Sequence, residues 1–257
     1  MIDPDAKISQ DALIAEGVTV GAGSIIGAGV EIGSGTKIGP HVVINGPTKI
    51  GKDNKIYQFA SIGEDPQDKK FHGEINSRLE IGDRNTIREF CTFNRGTEDG
   101  GGVTKIADDN WIMAYVHIAH DCLVGNSTVF ANGTTLAGHV EIGDHAILGG
   151  NTMVHQFCKI GAHTITRFST GTSKDIPPYM VAAWDPAKPK GINREGLKRR
   201  DFSSETIESL RQAFKIIYRN NLTIKDACTR LDEMIEECPE IALLQSFIAN
   251  SERGIIR

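Results

Sequence analysis

Apolar residues recur along this chain every six positions. Ile2, Ile8, Ile14, Val20, Ile26, Ile32, Ile38, Ile44, Ile50, Ile56 and Ile62 fill one register eleven times in succession. The register returns at Ile81, Ile87 and Phe93, and again at Ile106, Ile112, Ile118, Val124, Phe130, Leu136, Ile142, Leu148, Val154 and Ile160. A period of six matches neither the 3.6 of a helix nor the 2 of a solitary strand. It fits a short strand with one inward aliphatic residue and then a corner. Three such strands close a triangular coil, which stacks residues about 18 apart. Stacked coils pair their backbones above and below, satisfying N–H and C=O groups that a lone strand would expose. Glycine follows many inward positions (Gly21, Gly27, Gly33, Gly39, Gly51, Gly63, Gly82, Gly125, Gly143, Gly161), and its tolerance of positive φ suits the turning of a corner. The pattern predicts an all-β parallel β-helix of hexapeptide repeats, with a prism so narrow that phenylalanine enters only at Phe93 and Phe130.

The period breaks twice, between Ile62 and Ile81 and between Phe93 and Ile106. The first stretch is charged from Glu64 to Gly73; the second, Asn94 to Lys105, holds Gly100, Gly101 and Gly102 in a row. They predict loops near 64–80 and 94–105. Long polar excursions from a rigid scaffold are where binding residues sit, although tolerated surface insertions read the same way. After Ile160 the register falls on polar Thr166 and Thr172, and Pro177-Pro178 ends it. The repeat domain is therefore expected to span 1–178, with a linker and a helical unit in 179–257. Ser203 or Ser204 can cap a helix carrying Ile207, Leu210, Phe214 and Ile217, and Thr223 one carrying Ile224, Cys228, Leu231 and Ile235. Pro239 suits the first turn of a third, with Ile241, Leu244, Phe247 and Ile248. Such a unit covers the open end of the coil, whose strand edges otherwise stay unpaired.

Five cysteines without framework spacing fit free thiols in a reducing, cytoplasmic compartment. No charged-then-apolar leader and no long apolar run is present, so neither secretion nor membrane insertion is expected. A net charge of −5 argues against nucleic-acid binding. One segment runs against that balance: Lys188, Lys190, Arg194, Lys198, Arg199 and Arg200 face the single acid Glu195. On charge alone it suits a phosphate, an acidic partner or a solvated linker equally.

Five of the eight histidines, His117, His120, His139, His145 and His155, fall within three coils. Counting by 18 stacks His120, Gly138 and Gln156 on one edge of the prism, with Asp121, His139 and His155 beside them. A histidine next to a carboxylate is held in one tautomer and made a better base. A glycine one coil away leaves its N–H open to a developing oxyanion. Three imidazoles also invite zinc, but Asp121 serves better as a histidine partner, so no metal and no cofactor is expected. Cys91, Cys122 and Cys158 lack an activating context and read as small buried residues.

Several strings together resemble one family: Ile56-Tyr57-Gln58-Phe59-Ala60-Ser61-Ile62-Gly63, His117-Ile118-Ala119-His120-Asp121-Cys122, Leu136-Ala137-Gly138-His139, His155-Gln156-Phe157-Cys158 and Gly196-Leu197-Lys198-Arg199-Arg200. The chain is similar throughout, to its terminal Arg253-Gly254-Ile255-Ile256-Arg257, to the acyl-ACP:UDP-N-acetylglucosamine O-acyltransferases of bacterial lipid A synthesis. That resemblance implies a left-handed β-helix with a helical C-terminal part, a homotrimer, and sites in clefts between subunits. It implies His120 as general base toward the glucosamine 3-hydroxyl, which attacks the thioester of a 3-hydroxyacyl chain on acyl carrier protein. Asp121 would orient His120 and the Gly138 N–H would hold the oxyanion, with no covalent acyl-enzyme. By the same resemblance Asp68, Lys70, His117, His139, His155 and Gln156 contact the sugar nucleotide or its surroundings. Asn193, Glu195, Arg199 and Arg200 would hold the uridine diphosphate. The chain departs from better-known members in two places. Asn94 replaces a histidine, and Arg167-Phe168 replaces a small pair where some members measure the acyl chain, which makes Phe168 the candidate ruler. Some relatives use a 3-amino sugar as acceptor. A coenzyme A-dependent β-helix transferase and a non-catalytic β-helix scaffold are the competing readings.

Overall fold

The computed structural model describes residues 1–257. Three sheets of nine, eight and ten strands form the sides of a left-handed prism. Side one runs from Lys7–Ile8 to Gly171–Thr172, side two from Leu13–Ile14 to Lys159–Ile160, and side three from Thr19–Val20 to Lys188–Ile192. Inward residues pair directly with their successors, Ile8 with Ile26, Ile14 with Ile32 and Val20 with Ile38. Ile44, Ile62, Ile87, Phe93, Ile118, Phe130 and Leu136 expose no surface, and each such burial contributes roughly 1.5–3 kcal/mol before chain entropy is set against it. An asparagine ladder ties one edge: Asn85 N–H donates to Asn54 Oδ1 at 2.8 Å and Asn110 N–H to Asn85 Oδ1 at 2.9 Å.

The repeat glycines are not there for positive φ. Among those that follow inward residues only Gly63, at φ 77°, is left-handed. The turning position lies elsewhere in each repeat and tolerates side chains: His41, Phe59, Phe90, Tyr115, Asp121 and His139 all occupy it with φ between 54° and 64°. The repeat glycines answer instead to the neighbouring coil. A Cβ on Gly21 would lie 2.6 Å from Pro40 N, and one on Gly161 2.3 Å from Pro178 N. Coil spacing is fixed by backbone pairing, so these positions have no room for a methyl group.

Thr166 and Thr172 do not end the inward column. Both are buried; Thr166 Oγ1 accepts from Gly149 N–H at 2.9 Å, and Thr172 Oγ1 donates to Lys174 C=O at 2.6 Å. Satisfied hydroxyls let polar residues hold aliphatic positions at this end of the coil. Side three then continues through Met180–Ala183, and Lys188–Ile192 returns antiparallel to it. Helices α1 (Arg194–Lys198), α2 (Ser204–Tyr218), α3 (Ile224–Asp232) and α4 (Ile241–Ala249) follow. Asn193, Ser203 and Thr223 cap the first three through their side chains, whereas Pro239 stands just before the Glu240 cap of α4. None of these helices is long and apolar enough to cross a membrane.

Both excursions leave from the edge that joins side one to side two. Ile50 pairs with Ile81 and Ile81 with Ile106, so these coils are 31 and 25 residues long against 18 elsewhere. The extra chain overhangs the coils above, where the histidines lie.

Candidate active site

On that edge the backbone itself stacks the columns read from the sequence. His139 N–H donates to His120 C=O at 3.0 Å and Phe157 N–H to Gly138 C=O at 3.1 Å. His120 Nδ1–H donates to the Asp121 carboxylate at 2.8 Å, a bond that makes Nε2 the acceptor nitrogen of the neutral ring. A Cβ on Gly138 would lie 2.5 Å from His120 Cε1 and 2.7 Å from Nε2. Only glycine lets the ring settle there, and the Gly138 N–H has no acceptor within the chain. His139 meets His120 edge-on, with centroids 5.1 Å apart, and stacks on Phe157 at 4.3 Å.

Asp121 is the most enclosed member, with a side chain 1% exposed. The second excursion closes over it. Thr97 donates to the carboxylate twice, from its N–H at 2.9 Å and its hydroxyl at 2.7 Å. Gly100, in the short turn Glu98–Gly100, approaches so closely that a Cβ would sit 2.1 Å from Asp121 Cγ. Asp121 N–H donates to Thr104 Oγ1 at 2.8 Å. Burial opposes the charge on Asp121, but the bonds from His120 and Thr97, with His139 nearby, outweigh it and hold the carboxyl below its usual range. Burial also lowers His139, against the pull of Asp121. Thr104 belongs to the column of buried residues two before each inward position, but Thr97 and Gly100 stand outside the repeat and carry no motif; the run of three glycines was their only hint in the sequence.

The first excursion brings Asp68 and Lys70 over the same edge. With Gln67, Asp99, His120, His139, Gln156 and Phe157 they line a cavity of about 670 Å³. Two expected members stand outside its lining. His117 lies on side one, its Nδ1 hydrogen-bonded to Thr92 Oγ1 at 2.7 Å and its pKa lowered by burial against that bond. His155 accepts a bond from Arg253 of the C-terminal tail at 3.2 Å. Asn94 is buried and donates to Asp65 C=O at 2.8 Å, at the root of the first loop. The histidine–carboxylate group could in geometry hold a cation, its ligand atoms lying within 4.8 Å of one another. The Asp121 oxygens are nonetheless already taken by three donors from His120 and Thr97, which is the pattern of a histidine partner.

The basic segment lies on a different edge, between sides two and three. Asn193 donates to His163 C=O at 2.9 Å and accepts from Gly196 N–H, so it both docks and caps α1. Arg200 donates to Gly196 C=O at 3.1 Å and to His145 C=O at 3.2 Å. Arg199 is exposed, and Glu195 lies 3.7 Å from Lys198. Phe168 occupies the third edge, 71% exposed and lying over Gly150. One chain therefore separates the base, the basic segment and the candidate ruler onto three edges.

His163 sits under α1, stacked between His145 and Tyr179. Burial, then the neighbouring His145 and Arg200, drive its pKa down to about 4, with Asp144 opposing. The unfolded chain takes up this proton near pH 6.5, so stability is expected to fall as pH drops from there to about 4. The Nδ1 atom is buried without a partner, so His163→Phe should fold and show a shallower pH dependence. Urea midpoints from pH 7 to 4 check this; an unchanged slope places the titration elsewhere.

A hexapeptide coil with a histidine–carboxylate pair and an overhanging loop defines a hexapeptide-repeat transferase. Two family models agree: one described as bacterial transferase hexapeptide (six repeats) matches 11–46, 29–64 and 104–138, and one described as UDP N-acetylglucosamine O-acyltransferase, domain 2, matches 175–256. The acyl-[acyl-carrier-protein]–UDP-N-acetylglucosamine O-acyltransferase of Thiobacillus denitrificans is 55% identical over 256 residues, covering 100% of this chain and 99% of the relative. That of Verminephrobacter eiseniae is 52% identical over 260 residues, again covering 100% and 99%. The solved structure of LpxA from Acinetobacter baumannii superimposes with a TM-score of 0.98 at 46% identity, covering 100% of this chain and 99% of the other. The chain belongs to the acyl-ACP–UDP-N-acetylglucosamine O-acyltransferase family.

Proposed function

We propose that the protein transfers a 3-hydroxyacyl chain from acyl carrier protein to the 3-hydroxyl of UDP-N-acetylglucosamine, the first step of lipid A synthesis. The observation that carries the mechanism is His120 Nδ1 bonded to Asp121 at 2.8 Å with Nε2 left free above Gly138. Nε2 takes the proton of the sugar hydroxyl as its oxygen attacks the thioester carbonyl. The Gly138 N–H stabilises the tetrahedral oxyanion. The imidazolium, its charge supported by Asp121, then returns the proton to the departing phosphopantetheine sulfur. Every step is a proton transfer or an attack at the carbonyl, so no acyl-enzyme forms. Burial pushes Cys91 and Cys122 up to about 12, which agrees with an enzyme that uses no thiolate.

Asp68, Lys70, His139 and Gln156 hold the sugar in the cavity, with His117 and His155 in its surroundings. Asn193, Glu195, Arg199 and Arg200 hold the uridine diphosphate. Arg200 is tied to two carbonyls, so the exposed Arg199 is the freer of the pair to meet a phosphate. These groups converge only if copies assemble, and a homotrimer is the assembly we propose. His41, Phe59, Phe90 and Tyr115 form an exposed column of stacked rings, with centroids 4.9–5.6 Å apart, on the edge between sides three and one. Trp111 stands exposed on side three beside it. Placing that edge on a threefold axis packs side one of each copy on side three of the next, and sets each His120 edge against a neighbour's Arg199 edge. Light scattering should give the mass of three chains. Tyr115→Glu with Trp111→Glu should give single chains without activity, and a fully active monomer would sink the shared site.

The experiment for the reaction is a panel of acyl carrier proteins with chains of graded length, tested against UDP-N-acetylglucosamine and its 3-amino analogue. Transfer from coenzyme A thioesters at equal efficiency would overturn the proposed donor. The same panel tests Phe168. Its ring fills space that a small residue would leave to substrate, and each methylene denied burial is worth about 0.8 kcal/mol. Phe168→Gly is expected to shift the preference toward longer chains; an identical length profile removes Phe168 as the ruler.

A further inference from the structure

We propose that Arg95 is a positioning residue that clasps the two ends of the acceptor loop and links them to the carboxylate behind the base. The idea rests on the reading of residues 64–77 as the loop that presents Asp68 and Lys70 to the sugar nucleotide. That loop leaves the prism at Gly63 and rejoins it at the strand Arg78–Ile81.

Arg95 is only 8% exposed, and its guanidinium meets both ends of the loop. One terminal nitrogen donates to Gly63 C=O at 2.5 Å, the other to the Asp65 carboxylate, and Nε donates to Ser77 Oγ at 3.4 Å. Gly63 and Asp65 lie where the loop begins, and Ser77 where it ends. Two further ties hold the same neck: the Arg95 backbone N–H donates to Glu64 C=O at 3.0 Å, and the Asn94 side-chain amide to Asp65 C=O at 2.8 Å. Two residues further on, Thr97 makes both of its bonds to Asp121. The segment from Asn94 to Thr97 thus crosses the neck of one loop and ends on the partner of the base.

The chemistry selects arginine. A planar fork with donors on three nitrogens in fixed directions reaches three acceptors spread across the neck, whereas a lysine ammonium carries all its donors on one nitrogen. Buried ion pairs are weak contributors to stability, and geometric specificity is their better-attested use. The Asp65 side chain is 57% exposed, so charge pairing alone gives little reason to bury its partner. What the arrangement fixes is distance, from the mouth of the loop to the carboxylate that aims His120.

The test compares Arg95→Gln, Arg95→Lys and wild type by steady-state kinetics and by hydrogen exchange resolved along the chain. In Arg95→Gln the KM for UDP-N-acetylglucosamine is expected to rise about tenfold or more, with kcat falling less, because misplacement of a positioning loop by about 1 Å is costly. Exchange should quicken in 64–77 while the coils below Ile62 keep their protection, and Arg95→Lys should recover part of both effects. Should Arg95→Gln fail to fold, Asp65→Ala with Ser77→Ala removes two of the three ends and should show the same pattern more weakly. Unchanged loop exchange with unchanged acceptor KM overturns the clasp, as does a uniform loss of protection through all coils. A wild type that does not acylate UDP-N-acetylglucosamine overturns the functional reading instead, and the exchange pattern then decides the clasp on its own.

Discussion

His120→Ala is expected to fold normally and to lose about 10²–10⁴-fold in turnover, the usual worth of a positioned general base. The side chain is 14% exposed and its ring rests on Gly138 rather than in the interior. Its removal therefore opens no core cavity, and melting should shift little. The loss should appear in kcat more than in the KM of either substrate, because the ring acts on a proton that moves only in the transition state. Asp121→Asn should cost less in rate, since the base is then misoriented rather than absent. It should cost more in stability, because the buried position accepts two bonds from Thr97 as well as one from His120. A well-folded His120→Ala with near-normal turnover would remove this residue from the chemistry.

Gly138→Ala makes the second large prediction by adding one methyl group. The new Cβ would fall 2.5 Å from His120 Cε1, so the ring must rotate away and carry Nε2 with it. Displacement of about 1 Å costs on the order of 10² in rate. Loss of an oxyanion donor, should the backbone shift as well, costs about 10²–10³. Turnover is therefore expected to fall at least 10²-fold while the coil keeps its melting temperature, since the edge faces the cavity and not the core. The informative control is Gly150→Ala. There a Cβ meets the rim of the exposed Phe168 ring at 3.2 Å and the Asn132 carbonyl at an ordinary 3.5 Å, and activity toward short chains should persist. Equal losses in the two variants would mean that Gly138 answers to coil packing rather than to the base.

The contrast between these glycines shows what a repeat conceals. Gly21 and Gly161 directly follow inward residues and are small because the next coil's backbone passes within 3 Å of their missing Cβ atoms, whereas Gly138 stands one position further from its inward residue, Leu136. Gly138 is small because a side chain lies there. A six-residue period specifies where a residue stands on the prism, not what its neighbour one coil away has placed against it.

The inward column and the stacking of His120 on Gly138 and Asp121 on His139 were legible by counting, because each coil repeats the geometry of the last and errors do not accumulate. The cap at Thr223 was legible, and that of α2 as far as Ser203 or Ser204, because a cap is a contact three residues long. The two excursions follow no period, and what they do depends on side chains meeting across 24 to 32 residues of sequence, as Thr97 meets Asp121 and Arg95 meets Gly63. Nothing in the sequence said that Arg200 would spend its guanidinium on the carbonyls of Gly196 and His145. Nor did it say that the basic segment would lie on another edge from the base. Those outcomes belong to the tertiary structure, because a hydrogen bond between distant segments is decided only when the scaffold has fixed where both of them end.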